Sequence, residues 1–157
     1  MRKSKQRLSQ HFLTDPDSIR RIVDAAEIQQ EDLVVEVGPG RGALTELLVE
    51  GPGNLIGVEL DSGLRDCLRS IFGGRLRVIN EDVLKVDFRS LLPNNSSESM
   101  ILVGNLPYHA SGAIIKKILE SREVLRRAVI MVQKEVARRM TAPPGGKDYG
   151  ILSVAAQ

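Results

Sequence analysis

Cysteine is nearly absent from this chain: Cys67 stands alone among 157 residues. That excludes an intramolecular disulfide and fits a reducing compartment. With Leu64 and Leu68 at helical spacing, the thiol is expected on the buried face of a helix. No histidine lies near it in sequence to make it a nucleophile. Two distant histidines and one cysteine make no metal-ligand set. Long apolar runs are missing too, and nothing approaches the ~20 residues of a membrane span. The basic N-terminus, Met1 to Arg7, has no apolar segment behind it and is not a secretory signal. Repeats and low-complexity tracts do not occur. What is present is ordinary for a globular protein: 42% apolar and 27% charged residues, in a chain long enough for one domain with a real core. A monomer in a bacterial cytoplasm is the default expectation.

The net charge of +2 conceals a segregation. Asp24 to Asp61 holds nine acidic residues against Arg41, a balance of −8, and Lys116 to Lys147 holds nine basic against three acidic, a balance of +6. Arg2, Lys3, Lys5 and Arg7 add to the positive side. If the fold gathers these basic segments, that side attracts a polyanion, although any single run is more simply a solvated face. Arg126, Arg127, Arg138 and Arg139 are expected to divide between phosphate contacts and solvated surface.

Strand and helix patterns alternate. Thr14-Asp15-Pro16 reads as a helix start, followed by Ile19, Ile22, Val23 and Ala26 at helical spacing. Strands are expected at Leu33–Val37, Asn54–Val58, Leu76–Ile79, Met100–Val103 and Ala128–Val132. Helices are expected at Ala43–Leu48, Leu64–Phe72, Ala113–Leu119 and through Val136, Ala137 and Met140. Such alternation predicts an α/β fold, a mostly parallel sheet with helices on both faces. The nearly continuous apolar strands suit a sheet buried on both sides. Residues 93–99 and 142–147 read as loops. The segment from Tyr149 to Gln157 opens a further element with no closing signal, which reads as a C-terminally truncated chain with its sheet incomplete.

Glu36-x-Gly38-x-Gly40-x-Gly42 lies between the first strand and the next helix. Glycines there let the backbone approach a ligand and leave helix-terminal N–H groups facing it. Glu59 follows the second strand, where a carboxylate can accept both hydroxyls of a ribose. Glu81-Asp82 follows the third, where Asp82 can accept from an adenine amino group. Open α/β sheets bind nucleosides at these carboxyl ends. The spacing Gly38-x-Gly40-x-x-Ala43, with Glu59 downstream, also fits a dinucleotide fingerprint. Glu36 argues against that ligand, because it opposes a pyrophosphate and suits the ammonium group of S-adenosyl-L-methionine.

The fourth strand runs into Gly104-Asn105-Leu106-Pro107-Tyr108. An Asn oxygen and nearby carbonyls accept from an amino group, a Tyr ring stacks on a base, and Pro107 fixes the turn without donating. Such a site suits an exocyclic amine on a nucleobase. If Asn105 and the Leu106 or Pro107 carbonyl take the two N–H protons, the nitrogen lone pair is freed for in-line attack on a methyl group. Alignment of the reactants alone accounts for ~7–11 kcal/mol in well-ordered cases. Tyr108 as an ordinary turn residue, and His109 as a general base or a simple cap, are the competing readings.

These residues carry a resemblance. Ser9 to Leu13, Glu36 to Thr45, Gly104 to Tyr108, Val132 to Ala137 and Tyr149 to Val154 occur in the order found in ribosomal RNA adenine N6,N6-dimethyltransferases of the KsgA type. The resemblance spans about Ser9 to Gln157. It implies a class I S-adenosylmethionine-dependent, Rossmann-like methyltransferase that dimethylates adjacent adenosines near the 3′ end of small-subunit rRNA during ribosome assembly. By position it implies a basic arm over 1–14 that includes a cofactor-contacting segment, and a catalytic domain over 15–157. Gln10, His11, Leu13, Glu36, Gly38, Gly40, Glu59, Leu60, Asp82, Val83 and Asn105 would contact the cofactor. Asn105, Leu106, Pro107 and Tyr108 would form the target-base site. His109 and Ala110, where the family usually has Asn and Ile, depart from the pattern, as does Gly146 for Ser. Family members also continue into two more strands and a helical C-terminal domain. A large-subunit rRNA adenine methyltransferase of the macrolide-resistance type and a non-catalytic RNA-binding module are the alternative readings.

Overall fold

The computed structural model describes residues 13–51, 54–93 and 99–157. Its centre is a parallel sheet of five strands: β1 (Leu33–Val37), β2 (Asn54–Val58), β3 (Arg77–Ile79), β4 (Met100–Asn105) and β5 (Leu125–Met131). The strand order is β3-β2-β1-β4-β5, so the direction of winding reverses between β1 and β4. A crevice opens outside the carboxyl ends of the strands at such a reversal.

Successive side chains along each strand feed opposite faces of the sheet. Val34, Leu55, Val78, Ile101 and Val103 pack with α1 (Pro16–Ala26), α2 (Ala43–Leu48) and α3 (Ser62–Phe72). Val35, Val37, Ile56, Val58, Met100 and Leu102 pack under α4 (Ser111–Glu120), with Val86 and Phe88 beside it. Val136, Met140 and Leu152, from α5 (Lys134–Met140) and α6 (Ile151–Ala156), complete that layer. The expected α/β architecture with helices on both faces is thus present. No helix among the described residues is long and apolar enough to cross a membrane.

Aspartate caps fix the starts of α1 and α3. Asp15 accepts from the Ser18 N–H at 3.0 Å ahead of α1. Asp61 accepts from Gly63 and Leu64 N–H ahead of α3, so that helix begins at Ser62 rather than Leu64. Leu76 stands outside β3, its N–H closing a turn onto the Gly73 carbonyl. β5 begins three residues before the expected Ala128, because Arg126 and Arg127 break the apolar run without breaking the strand. Its burial is only partial, unlike that of β1, β2 and β4, since among the described residues β5 has a strand neighbour on one side alone.

Cys67 corrects the sequence reading: it is exposed. The buried stripe of α3 runs through Leu68 and Phe72, with Leu64 half-buried, and Cys67 falls on the outward side of it.

Candidate functional site

One cavity of about 470 Å³ occupies the carboxyl ends of β1, β2, β3 and β4. Every described residue assigned to the site from sequence lines it: Leu13, Glu36, Gly38, Gly40, Glu59, Leu60, Asp82, Val83, Asn105, Leu106, Pro107 and Tyr108. Gln10 and His11 lie outside the described residues. Pro39, Arg41, Glu81, Leu84, His109 and Ile114 also form its walls.

The glycine loop takes its shape from positive φ angles of 65° at Gly38 and 60° at Gly40, where a side chain would be strained. Both N–H groups are spent inside the protein. Gly38 donates to the Val58 carbonyl at 2.9 Å and Gly40 to Glu59 Oε2 at 3.0 Å. What Gly38 leaves at the cavity is open space: a Cβ there would meet nothing within 4 Å.

Two carboxylates form the floor. Glu36 is 2% exposed and faces α2, where the Thr45 hydroxyl donates to its Oε2 at 2.7 Å. Burial pushes its carboxyl up to about 7; the Thr45 bond opposes this and the nearby Glu59 charge adds to it. Glu59, also 2% exposed, receives the Gly40 N–H on Oε2 and the Asp61 N–H on Oε1 at 2.9 Å. Each of its oxygens keeps a second lone pair for a hydroxyl donor. Both acids receive hydrogen bonds from neutral donors, which suits them to a cationic or hydroxyl-bearing ligand. Asp82 is half-buried at the rim, its Oδ1 accepting from Leu84 N–H at 3.0 Å.

Gly104 brings the tetrapeptide to the cavity. It pairs with Val37 in the β1–β4 ladder, and a Cβ there would lie 2.7 Å from the Val37 carbonyl oxygen. Beyond the strand, Leu106 N–H donates to the Met131 carbonyl at 3.0 Å, tying the turn to the end of β5. The Pro107 carbonyl accepts from Ala110 N–H and the Tyr108 carbonyl from the Ser111 hydroxyl. Among the described residues the Leu106 carbonyl has no such partner. Tyr108 is 41% exposed over the cavity, with His109 exposed beside it.

Arg126 and Arg127 fall elsewhere. They stand at the amino end of β5, opposite the cavity, where the β4–β5 register steps from Leu125 to Arg127. Arg126 pairs with Asp32, and Arg127 with Glu27 at 2.7 Å and the Ala25 carbonyl at 2.8 Å. These two arginines tie α1 and its following turn to the sheet edge. Arg138 pairs with Asp148 at 3.1 Å. Thr45, which holds Glu36, carries no sequence signal of that role; only the packing of α2 on β1 reveals it.

The ribosomal RNA adenine dimethylase family model matches residues 1–157. The ribosomal RNA small subunit methyltransferase A of Geobacter metallireducens is 41% identical over 154 residues, covering 97% of this chain and 56% of the relative. That of Acidobacterium capsulatum is 44% identical over 157 residues, covering 99% and 55%. A dimethyladenosine transferase structure from Plasmodium falciparum superposes with a TM-score of 0.75 at 31% identity, over 92% of this chain and 51% of that one. The 23S rRNA methyltransferase ErmE gives 0.73 at 32% identity, over 83% and 51%. The chain thus spans about half the length of the curated relatives it matches.

Proposed function

This chain belongs to the ribosomal RNA adenine dimethylase family, and from that premise we propose that it is the catalytic part of an S-adenosylmethionine-dependent enzyme that dimethylates N6 of adjacent adenosines near the 3′ end of small-subunit rRNA. The observation that carries the proposal is a single cavity holding both an acidic nucleoside cradle and the Asn105-Leu106-Pro107-Tyr108 turn. The small-subunit choice follows the curated relatives, at 41% and 44% identity, over the large-subunit enzyme ErmE at 32%. Action on ribosomal subunits as a monomer in the bacterial cytoplasm belongs to the same reading.

The donor set suits the cofactor. Glu59 would hold the ribose hydroxyls, Asp82 the adenine amino group, and Glu36 the ammonium end, with Leu60 and Val83 flanking the base. Gly38, Gly40 and Leu13 would leave and wall the space, and Gln10 and His11 belong to the same proposed contact set. S-adenosyl-L-methionine, when bound, supplies an electrophilic methyl group on a sulfonium. The protein's part is to position and polarise the acceptor. The Asn105 side-chain oxygen and the Leu106 carbonyl accept hydrogen bonds from the two N–H groups of the amine. This turns the nitrogen lone pair out of conjugation and stabilises the cation that forms until it releases a proton to solvent. In the second transfer one N–H remains to be held. Leu106 suits this better than Pro107, whose carbonyl already accepts from Ala110. Pro107 fixes the turn, and Tyr108 stacks the extruded base, a contact worth ~1–3 kcal/mol.

The test incubates the chain with labelled S-adenosyl-L-methionine and, in parallel, unmodified small and large ribosomal subunits, then identifies the rRNA nucleosides by mass. Dimethyladenosine formed by the wild type and lost by about a hundredfold or more in Asn105→Ala is expected, the scale of removing one transition-state acceptor. Undiminished transfer by Asn105→Ala refutes the mechanism. Label in large-subunit RNA alone refutes the substrate, and cofactor binding without turnover favours a non-catalytic module.

A further inference from the structure

Past the end of β2 the chain turns away from the sheet through Glu59, Leu60 and Asp61. The Glu59 N–H still donates to the Ile79 carbonyl at 2.9 Å, but the carbonyls of Glu59 and Leu60 run beyond the ladder. A single side chain from the neighbouring strand end collects both. Asn80 Nδ2 donates to the Glu59 carbonyl at 2.7 Å and to the Leu60 carbonyl at 3.1 Å. The amide is held the right way round by Arg65 on α3, whose Nη1 donates to Asn80 Oδ1 at 2.9 Å. A flipped amide would set its NH₂ against the guanidinium. Arg65 is itself fixed by Asp66 through Nε at 2.8 Å.

The path of residues 59–61 matters because it aims a carboxylate. Glu59 Oε1 accepts from Asp61 N–H, so the carboxylate moves with that turn. Asp61 in turn caps α3, the helix that carries Arg65. The contacts close a ring from α3 through the end of β3 and the end of β2 back to α3. Asn80 is exposed and does not line the cavity, so neither core packing nor ligand contact accounts for it.

We infer that Asn80, steered by Arg65, is a positioning residue that sets the carboxylate of Glu59 for a vicinal diol. The inference rests on the reading above that Glu59 holds the cofactor's ribose.

Calorimetric titration of the full chain with S-adenosyl-L-homocysteine and with its 2′,3′-dideoxyribose analogue tests it. Asn80→Ala is expected to bind S-adenosyl-L-homocysteine about threefold to tenfold more weakly than wild type, the scale of one or two lost hydrogen bonds. Its affinity for the dideoxy analogue is expected to equal the wild type's, because no diol remains for Glu59 to read. Arg65→Ala acts only through the amide and gives the same selective pattern with a smaller loss. Equal losses on both ligands would mean a general effect on folding and overturn the inference, as would no loss on either. Failure of the wild type to bind S-adenosyl-L-homocysteine would remove the functional reading itself. Wild-type binding with Asn80→Ala and Arg65→Ala unaffected overturns this inference alone.

Discussion

Glu36 is where pH acts on this protein. Its carboxyl titrates at about 7 when folded, against 4.5 for the ordinary side chain. Between those values the unfolded chain has lost the proton and the folded protein retains it. The contribution to stability is therefore complete below the lower value, falls as pH rises through the window, and is gone above the upper one. Glu36→Gln keeps an acceptor for Thr45 and removes the charge. It is expected to be more stable than wild type at about pH 8 by on the order of 3 kcal/mol, and to match it near pH 4, in denaturant titrations. A bound ammonium group favours the ionised form. Wild-type affinity for S-adenosyl-L-methionine should therefore climb with pH up to about 7, while the variant's stays level. Glu36 was legible in the sequence because it sits two residues before a glycine at a strand end. Thr45, nine residues further on, was not, since its role exists only when α2 lies on β1.

At the scale of elements, the site depends on how closely β1 and β4 approach. Gly104 permits that approach: an added Cβ would press on the carbonyl oxygen and, at 3.2 Å, the Cβ of Val37. Neither backbone can yield without shifting the ladder. Gly104→Ala is expected to cost ~1–3 kcal/mol of stability, the usual range for overpacking. It should also lose methyl transfer at temperatures where it stays folded, because Asn105 is the next residue. A variant of wild-type stability and activity would show that the strand tolerates the shift. Four of the five strands were legible from apolar runs bounded by glycine, proline or polar residues. β5 starts three residues before the expected Ala128, because Arg126 and Arg127 interrupt the apolar run that marked it. In the fold they leave the sheet edge for Asp32 and Glu27, partners about a hundred residues away that no local pattern announces. Cys67 was misjudged for a related reason. Spacing of three and four residues from Leu64 marks both Cys67 and Leu68 as inward, and only packing on the sheet selects Leu68.

Across the whole molecule, the acidic and basic segments do different work and also meet, Arg126 with Asp32 and Arg127 with Glu27. Glu36, Glu59, Glu81 and Asp82 gather at one cavity, whereas part of the basic excess is consumed in ion pairs that hold α1 to β5. The reversal of strand order between β1 and β4 places the acidic cradle and the Asn-Leu-Pro-Tyr turn on one wall-to-wall space. That adjacency is what methyl transfer to a base requires, and it can be measured without turnover. A bisubstrate ligand joining S-adenosyl-L-homocysteine to N6 of adenosine should bind the wild type at least about tenfold more tightly than S-adenosyl-L-homocysteine alone, the scale of one stacked base. Tyr108→Ala should abolish most of that gain and leave S-adenosyl-L-homocysteine binding unchanged. Equal affinity of the two ligands for the wild type would contradict a shared site for cofactor and target base.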